Sequence, residues 1–432
     1  MQAESVLPTA EPAATLADIA SREGQPLKIC LLGYRSQPYG GGQGIYIKYL
    51  SKALVEAGHQ VDVISGQPYP HVDPRVKLIK MPGMNLFETG LGSLTWSHLR
   101  SLTNIIEWTG KLTGGFAEPR CFGRRVFKYL KHHGRHYDII HDNQCLSWGM
   151  LKLQQRGFPL VTTIHHPITS DLQIALNAAP DWKARLLIKR WHSFLTMQKK
   201  VAQRLDNVVT VSERSQQDIA SAFELQPSAI NLVYNGIDTA EFRPMPEVAK
   251  KPYRIMATAS ADAPLKGVRY LLEAVAELAK RYPQLELLMV GQPQAGGATE
   301  QLIKRLKLGD RIIFVSGIST EQLVRHYAEA QVVVIPSVYE GFGLPAGEAM
   351  ACGVPVVSTD GGALPEVVGD AGIIVPVKNS RAISEAVSDL LEHENKRKTL
   401  SAAGRQRIET LFCWQRAAGQ MTEYYSQVMA SR

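Results

Sequence analysis

The sequence predicts two doubly wound α/β domains, each on a parallel sheet, facing one another across a cleft. Three observations carry this. Short apolar runs alternate with helix-length amphipathic stretches in both halves. A segment with three prolines, Glu241 to Pro252, separates the two series. At 432 residues the chain exceeds one ordinary core, and 45% hydrophobic residues supply enough for two.

The first 25 residues carry Glu4, Glu11, Asp18 and Glu23, with neither a basic nor an apolar leader region. They read as a flexible tail. No apolar run approaches the ~18 residues of a membrane span. Five scattered cysteines without a Cys-x-x-Cys fit a reducing, cytoplasmic setting and no structural zinc. A net charge of +8 is too small to argue for nucleic acid; it is compatible with phosphorylated substrates or an anionic membrane face.

In the first half, strands are expected at Leu27–Gly33, Gln60–Ser65, Val76–Met81, Tyr137–His141, Pro159–Ile164 and Asn207–Val211. A glycine loop, Tyr39 to Gly44, follows the first strand and opens a helix that ends before Gly58-His59. Such a loop at a helix N-terminus accepts a phosphate, which makes Gly41 and Gly42 candidate ligand residues. A dinucleotide reading fails: Ile47 holds the third glycine position, and Ser65-Gly66 offers no acid for a ribose. Asn85 to Leu130 is irregular and reads equally as an acceptor-facing part or a helical insertion. His165 and His166 end a strand. Neighbours on a strand face opposite ways, so the pair cannot share a metal, and one is read as a site residue with the other supporting it. Asp181 to Arg204 reads as one strongly basic helix with Leu187, Trp191, Phe194 and Leu195 on its core stripe. Its cations are either a solvated face or a contact with anionic lipid.

In the second half, strands are expected at Arg254–Ala259, Leu285–Val290, Ile312–Val315, Val332–Ile335, Pro355–Thr359 and Ile373–Val377. Lys266-Gly267 follows the first of these and places a cation at a helix start, where it can neutralise a diphosphate. The densest stretch is Pro336-Ser-Val-Tyr-Glu340-Gly-Phe-Gly-Leu-Pro-Ala-Gly-Glu348. A carboxylate leaves a strand tip, glycines let successive N–H groups converge on an anion, Pro345 suits the first helical position, and Glu348 falls in or near the first turn.

This stretch resembles the Glu-x7-Glu signature of retaining glycosyltransferases of family 4, which have the GT-B fold. Gly41-Gly42, Val211-Ser-Glu213, Val233-Tyr-Asn-Gly-Ile-Asp238 and Phe412-Cys-Trp-Gln415 resemble the family's other landmarks. The resemblance implies a sugar moved from a UDP- or GDP-sugar to the hydroxyl of a sugar, lipid-linked or small-molecule acceptor, with retention, in glycan, glycolipid or polysaccharide synthesis. It implies no metal and no further cofactor. It gives catalytic roles to His165, Lys266 and Glu340. It places Gly41, Gly42, Lys266, Glu340, Gly341, Phe342, Gly343, Leu344 and Glu348 around the donor, with Glu340 on sugar hydroxyls and Glu348 on the ribose. It also implies an N-terminal domain over 26–242, a linker over 243–252, a donor-binding domain over 253–411, and a helix over 412–432 returning to the first domain. One position departs from the pattern: Ser260 stands where the family has an arginine. An epimerase or phosphorylase on the same fold, a glycosidase using Glu340 and Glu348, and a non-catalytic nucleotide-sugar binding module remain the competing readings.

Overall fold

The computed structural model describes residues 25–38, 42–179, 181–259 and 262–431. Two parallel sheets organise them. The first is ordered β3-β2-β1-β4-β5-β6-β7. Its strands are β1 (Lys28–Gly33), β2 (Gln60–Ser65), β3 (Lys77–Lys80), β4 (Ile139–Asn143), β5 (Leu160–Ile164), β6 (Val208–Thr210) and β7 (Ile230–Leu232). The second is ordered β10-β9-β8-β11-β12-β13. It comprises β8 (Arg254–Thr258), β9 (Glu286–Val290), β10 (Ile312–Val315), β11 (Val332–Ile335), β12 (Val356–Thr359) and β13 (Ile373–Val375). Strand order reverses between β1 and β4 in one sheet and between β8 and β11 in the other. Ligands of open α/β sheets bind at such reversals, beyond the carboxyl ends of the strands.

The strands form where both faces find cover. Every residue of β4, β5 and β11 is buried, as a parallel sheet between helices requires. The helix Val268–Arg281 shows the complementary pattern: Leu271, Leu272, Val275 and Leu278 fall on its buried face, and Lys280 and Arg281 sit in its last turn.

Three expectations change. β4 starts and ends two residues later than its sequence implied, because the polar residues His141, Asp142 and Asn143 stay in the sheet. His141 is bonded to Thr163 and Tyr425, both at 2.6 Å, and Asp142 accepts from the Cys145 and Leu146 amides. Polarity there marks an internal network, not a strand exit. β7 is a short edge strand that the sequence reading missed beside the Asn-Gly turn. The segment Asp181 to Arg204 is two helices, Trp182–Trp191 and Phe194–Ala202, broken where His192 Nδ1 bonds the Ile188 carbonyl at 2.8 Å. Leu187, expected in the core, is 61% exposed.

The last helix, Trp414–Ala430, lies on the first lobe. His59 meets Thr422 at 2.9 Å, and Tyr46 and Tyr49 pack on Trp414. A Cβ on Gly236 would stand 2.4 Å from the Trp414 nitrogen, so the Asn235-Gly236 turn gives backbone clearance to this helix. Ile237 N–H donates to the Phe412 carbonyl at 2.7 Å. Among the described residues no helix is long and apolar enough to cross a membrane.

Candidate active site where the two lobes meet

Loops from the strands beside the two reversals converge here. After β8, the turn Pro264–Lys266 leads into Gly267 and the helix Val268–Arg281. Leu265 O accepts from Val338 N at 2.7 Å, which ties this turn to the loop after β11. Gly267 has φ +61°, and a Cβ there would lie 1.9 Å from the Pro336 carbonyl oxygen. Only glycine permits that contact. Lys266 Nζ then reaches Glu340 Oε1 at 2.7 Å, and Ser337 Oγ donates to the same oxygen at 2.7 Å. From the other side, Ala363 N holds the Glu340 carbonyl at 2.9 Å, and Gly362 approaches it so closely that a Cβ would sit 2.2 Å away.

Gly343 has φ +102° and caps the helix Leu344–Ala351. Among the described residues no acceptor meets the amides of Gly341, Phe342, Gly343 or Leu344. With Lys266 nearby they form a set of donors fit for an anion. Glu348, expected in or near the first turn, follows directly after that turn, and Tyr327 donates to it at 3.1 Å. Burial, with a smaller push from Glu241, raises its pKa to about 7, while Lys48 opposes the shift. The two glutamates therefore have different surroundings: Glu340 is ion-paired beside the glycine loop, and Glu348 faces the Lys48–Glu241 pair of the first lobe.

From the first lobe, His165 follows β5. Its Nε2 lies 2.6 Å from Asn143 Oδ1, and Asn143 Nδ2 donates to the Gln43 carbonyl at 3.0 Å. That carbonyl can only accept, so the amide orientation is set; Nε2 then carries the proton and Nδ1 keeps its lone pair. Burial holds the imidazole neutral, with its pKa lowered to about 3. Gln144 brackets the tip, accepting from His165 N at 2.7 Å and donating to His166 O at 2.9 Å. His166 faces Gly341. Gly42 opens the helix Gly42–Glu56, with nothing within 4 Å of where a Cβ would stand. Gly41 and Ser260 lie outside the described residues.

A clasp joins the lobes. Ser212 and Ser215 donate to the Gly341 carbonyl at 2.7 and 3.0 Å. Glu366 of the second lobe accepts the amides of Glu213 and Arg214 at 2.8 and 2.7 Å, satisfying the start of the helix Glu213–Phe223. Tyr339 donates to Asp218 at 2.8 Å. Sequence reasoning missed Asn143, Gln144, Ser215, Gly362 and Glu366. Ser212 lay inside the Val-Ser-Glu piece, where a serine before a helix start signals an N-cap. Among the described residues no three His, Cys, Asp or Glu side chains converge as metal ligands would.

Comparison with known proteins fits this geometry. Residues 40–241 match the family model described as Glycosyltransferase Family 4, and residues 241–407 match Glycosyl transferases group 1. An MMP alpha-(1->4)-mannosyltransferase of Mycolicibacterium hassiacum is 40% identical over 410 residues, covering 94% of this chain and 99% of that one. The chain belongs to glycosyltransferase family 4. A D-inositol 3-phosphate glycosyltransferase of a Nocardioides species is 29% identical over 90% of this chain and 86% of its own length. The sucrose-phosphate synthase of Thermosynechococcus elongatus superposes with a TM-score of 0.71 at 26% identity, over 94% of this chain and all of that one. The family 4 enzyme thus has the GT-B architecture of two Rossmann-like lobes, and it belongs to a retaining family.

Proposed function

We propose that this family 4 enzyme moves a mannosyl residue from a nucleoside-diphosphate mannose to a sugar hydroxyl, with retention. The 40% full-length similarity to a mannosyltransferase supports the choice of sugar. The observation that carries the chemistry is the Lys266–Glu340 pair beside four unpartnered amides at a helix start. When the anomeric C–O bond breaks, its electron pair goes to the leaving diphosphate. Lys266 and the 341–344 amides stabilise that charge. The acceptor oxygen forms its bond to the same face of the sugar, and its proton passes to a leaving phosphate oxygen. His165, neutral with a free Nδ1, accepts a hydroxyl of the donor sugar from the other lobe. Glu340 holds sugar hydroxyls, and Glu348 holds the ribose.

The test is a panel of UDP-, GDP- and ADP-sugars scored by protection against heat, since a ligand of the native state raises stability by mass action. The mannosyl donor that protects best should release its nucleoside diphosphate only with acceptor present and give an α-linked product. Hydrolysis without a nucleotide requirement, or an inverted product, would rule the reading out.

The raised pKa of Glu348 gives a pH prediction. Ribose hydroxyls donate to the carboxylate, so donor binding favours the ionised form and should release a proton near neutrality. Affinity for the donor should rise about tenfold from pH 6 to pH 8, as the ionised fraction grows through a pKa of about 7. The apo protein should show the opposite trend from this group. Burial favours its protonated form, so that stability is present below pH ~4.5 and is lost as pH rises through ~7. Calorimetry in two buffers checks the proton release, and Glu348→Gln should abolish the slope. His165 adds nothing to this window, because it stays neutral throughout.

A further inference from the structure

We propose that the face of the first lobe built from residues 96–131 and 182–191 docks on an anionic lipid bilayer. Two independent features meet there. The first is apolar exposure. Among the described residues, eight of the ten exposed large hydrophobic side chains fall within residues 96–112 and 182–191. The helix Leu102–Leu112 shows solvent Leu102 and Leu112, 57% and 53% exposed, and the helix Trp182–Trp191 buries no residue at all. Trp182, Leu186 and Leu187 are 69%, 60% and 61% exposed. The two segments adjoin: Arg190 donates to Thr113 at 2.5 Å, and Phe116 stacks on Trp191 at 5.0 Å. Clustered exposure of this kind marks an interaction surface rather than chance.

The second feature is charge. The next helix, Glu118–His133, carries Arg120, Arg124, Lys128 and Lys131 at spacings that stack them on one face. With Lys152 and Arg204 they line a groove of about 570 Å³ that also takes in Ile106 of the apolar helix. No acidic residue lines it. None of the six cations forms an ion pair among the described residues, and neither does Lys183, Arg185, Lys189 or Arg190. Like charges at this spacing repel, and Lys152 has the Phe127 ring beside it at 5.6 Å as a cation contact.

Cations beside exposed leucines and tryptophans match a bilayer, with headgroup phosphates for the one and acyl boundary for the other. A second copy of the chain would bring two cationic faces together, and a nucleic acid would leave the leucines in water. The expected site differs from the basic segment of the sequence reading. The helix Phe194–Ala202 is largely buried and Lys199 pairs with Glu224, so from the second half of that segment only Arg204 takes part.

Flotation with phosphatidylglycerol–phosphatidylcholine vesicles tests the proposal on the full chain. The wild type should float with these vesicles, release with rising salt, and ignore pure phosphatidylcholine. Lys128→Glu/Lys131→Glu/Lys152→Glu should weaken binding on the order of 10²-fold, since each cation near an anionic surface contributes roughly a fivefold factor. Trp182→Ser/Leu186→Ser should weaken it about tenfold or more. Both variants should melt with the wild type. Binding that is absent in the wild type, indifferent to salt, or equal on neutral vesicles overturns the proposal without recourse to any variant. Vesicle binding unchanged in the Trp182/Leu186 variant, with heparin competing fully, would make the groove a site for soluble polyanions and also overturn it.

Discussion

Lys266→Ala is expected to lower kcat by about 10²–10³-fold, the usual loss when one preorganised donor to a developing negative charge is removed. The position of Lys266 is not incidental. Its turn is bonded to the loop after β11 through Leu265 and Val338, and its ammonium already engages the Glu340 carboxylate at 2.7 Å. In the proposed mechanism the donor diphosphate draws that ammonium toward itself, and the Lys266–Glu340 pair is partly exchanged on binding. Two further outcomes follow. Lys266→Arg should rescue poorly, because a planar fork is not a point charge. Glu340→Gln should bind nucleoside diphosphate at least as tightly as the wild type while keeping measurable transfer and the same product anomer, since the amide can still hold sugar hydroxyls. A double displacement through Glu340 would instead be nearly abolished by that change. Transfer rate, anomer and nucleoside-diphosphate affinity across the three variants decide the matter. A trapped glycosyl–Glu340 adduct, or full activity in Lys266→Ala, would sink the mechanism.

Gly267→Ala should be the most damaging single methyl that the second lobe can receive. The residue has φ +61°, and its added Cβ would stand 1.9 Å from Pro336 O, a backbone atom at the exit of β11. The left-handed conformation alone costs about 1–2 kcal/mol for a non-glycine residue. Relieving the contact must push the Lys266 turn away from the Glu340 loop. We expect a loss of at least ~2 kcal/mol, a melting temperature lower by about 4–8 °C for a lobe of this size, and turnover reduced well beyond the loss of folded protein. Gly309→Ala is the control. Nothing lies within 4 Å of its Cβ position, so stability and activity should both be retained. Coincident melting of the two variants would show that the loop after β11 yields freely, contrary to the packing described.

Much of this site could be read from the chain because its causes are local. The apolar run of β11, the glycines after it and Pro345 before a helix are neighbours in sequence, and each has one physical use. The same holds for Lys266-Gly267 after β8. The clasp could not be read, because its partners are far apart: Glu366 meets the Glu213 amide across 153 residues. Nor could Asn143, whose role depends on a carbonyl 100 residues earlier and an imidazole 22 residues later. The broken basic helix shows a different limit. A histidine side chain ends it where neither glycine nor proline gives warning. β4 misled for a related reason, since its buried polar residues are satisfied by partners that periodicity does not reveal.

The last helix also has a consequence for biosynthesis. Tyr425 bonds His141 at 2.6 Å across 284 residues, and Trp414 covers Tyr46 and Tyr49. On the ribosome the first lobe emerges before the second, yet the side chains that seal it are made only after the whole second sheet. Every strand of the second sheet lies between the two parts of the first lobe and leaves the ribosome before Trp414. The order in which the lobes are completed is therefore the reverse of the order in which they begin. Until the helix Trp414–Ala430 has emerged, the first lobe carries an open apolar face of the kind that chaperones hold.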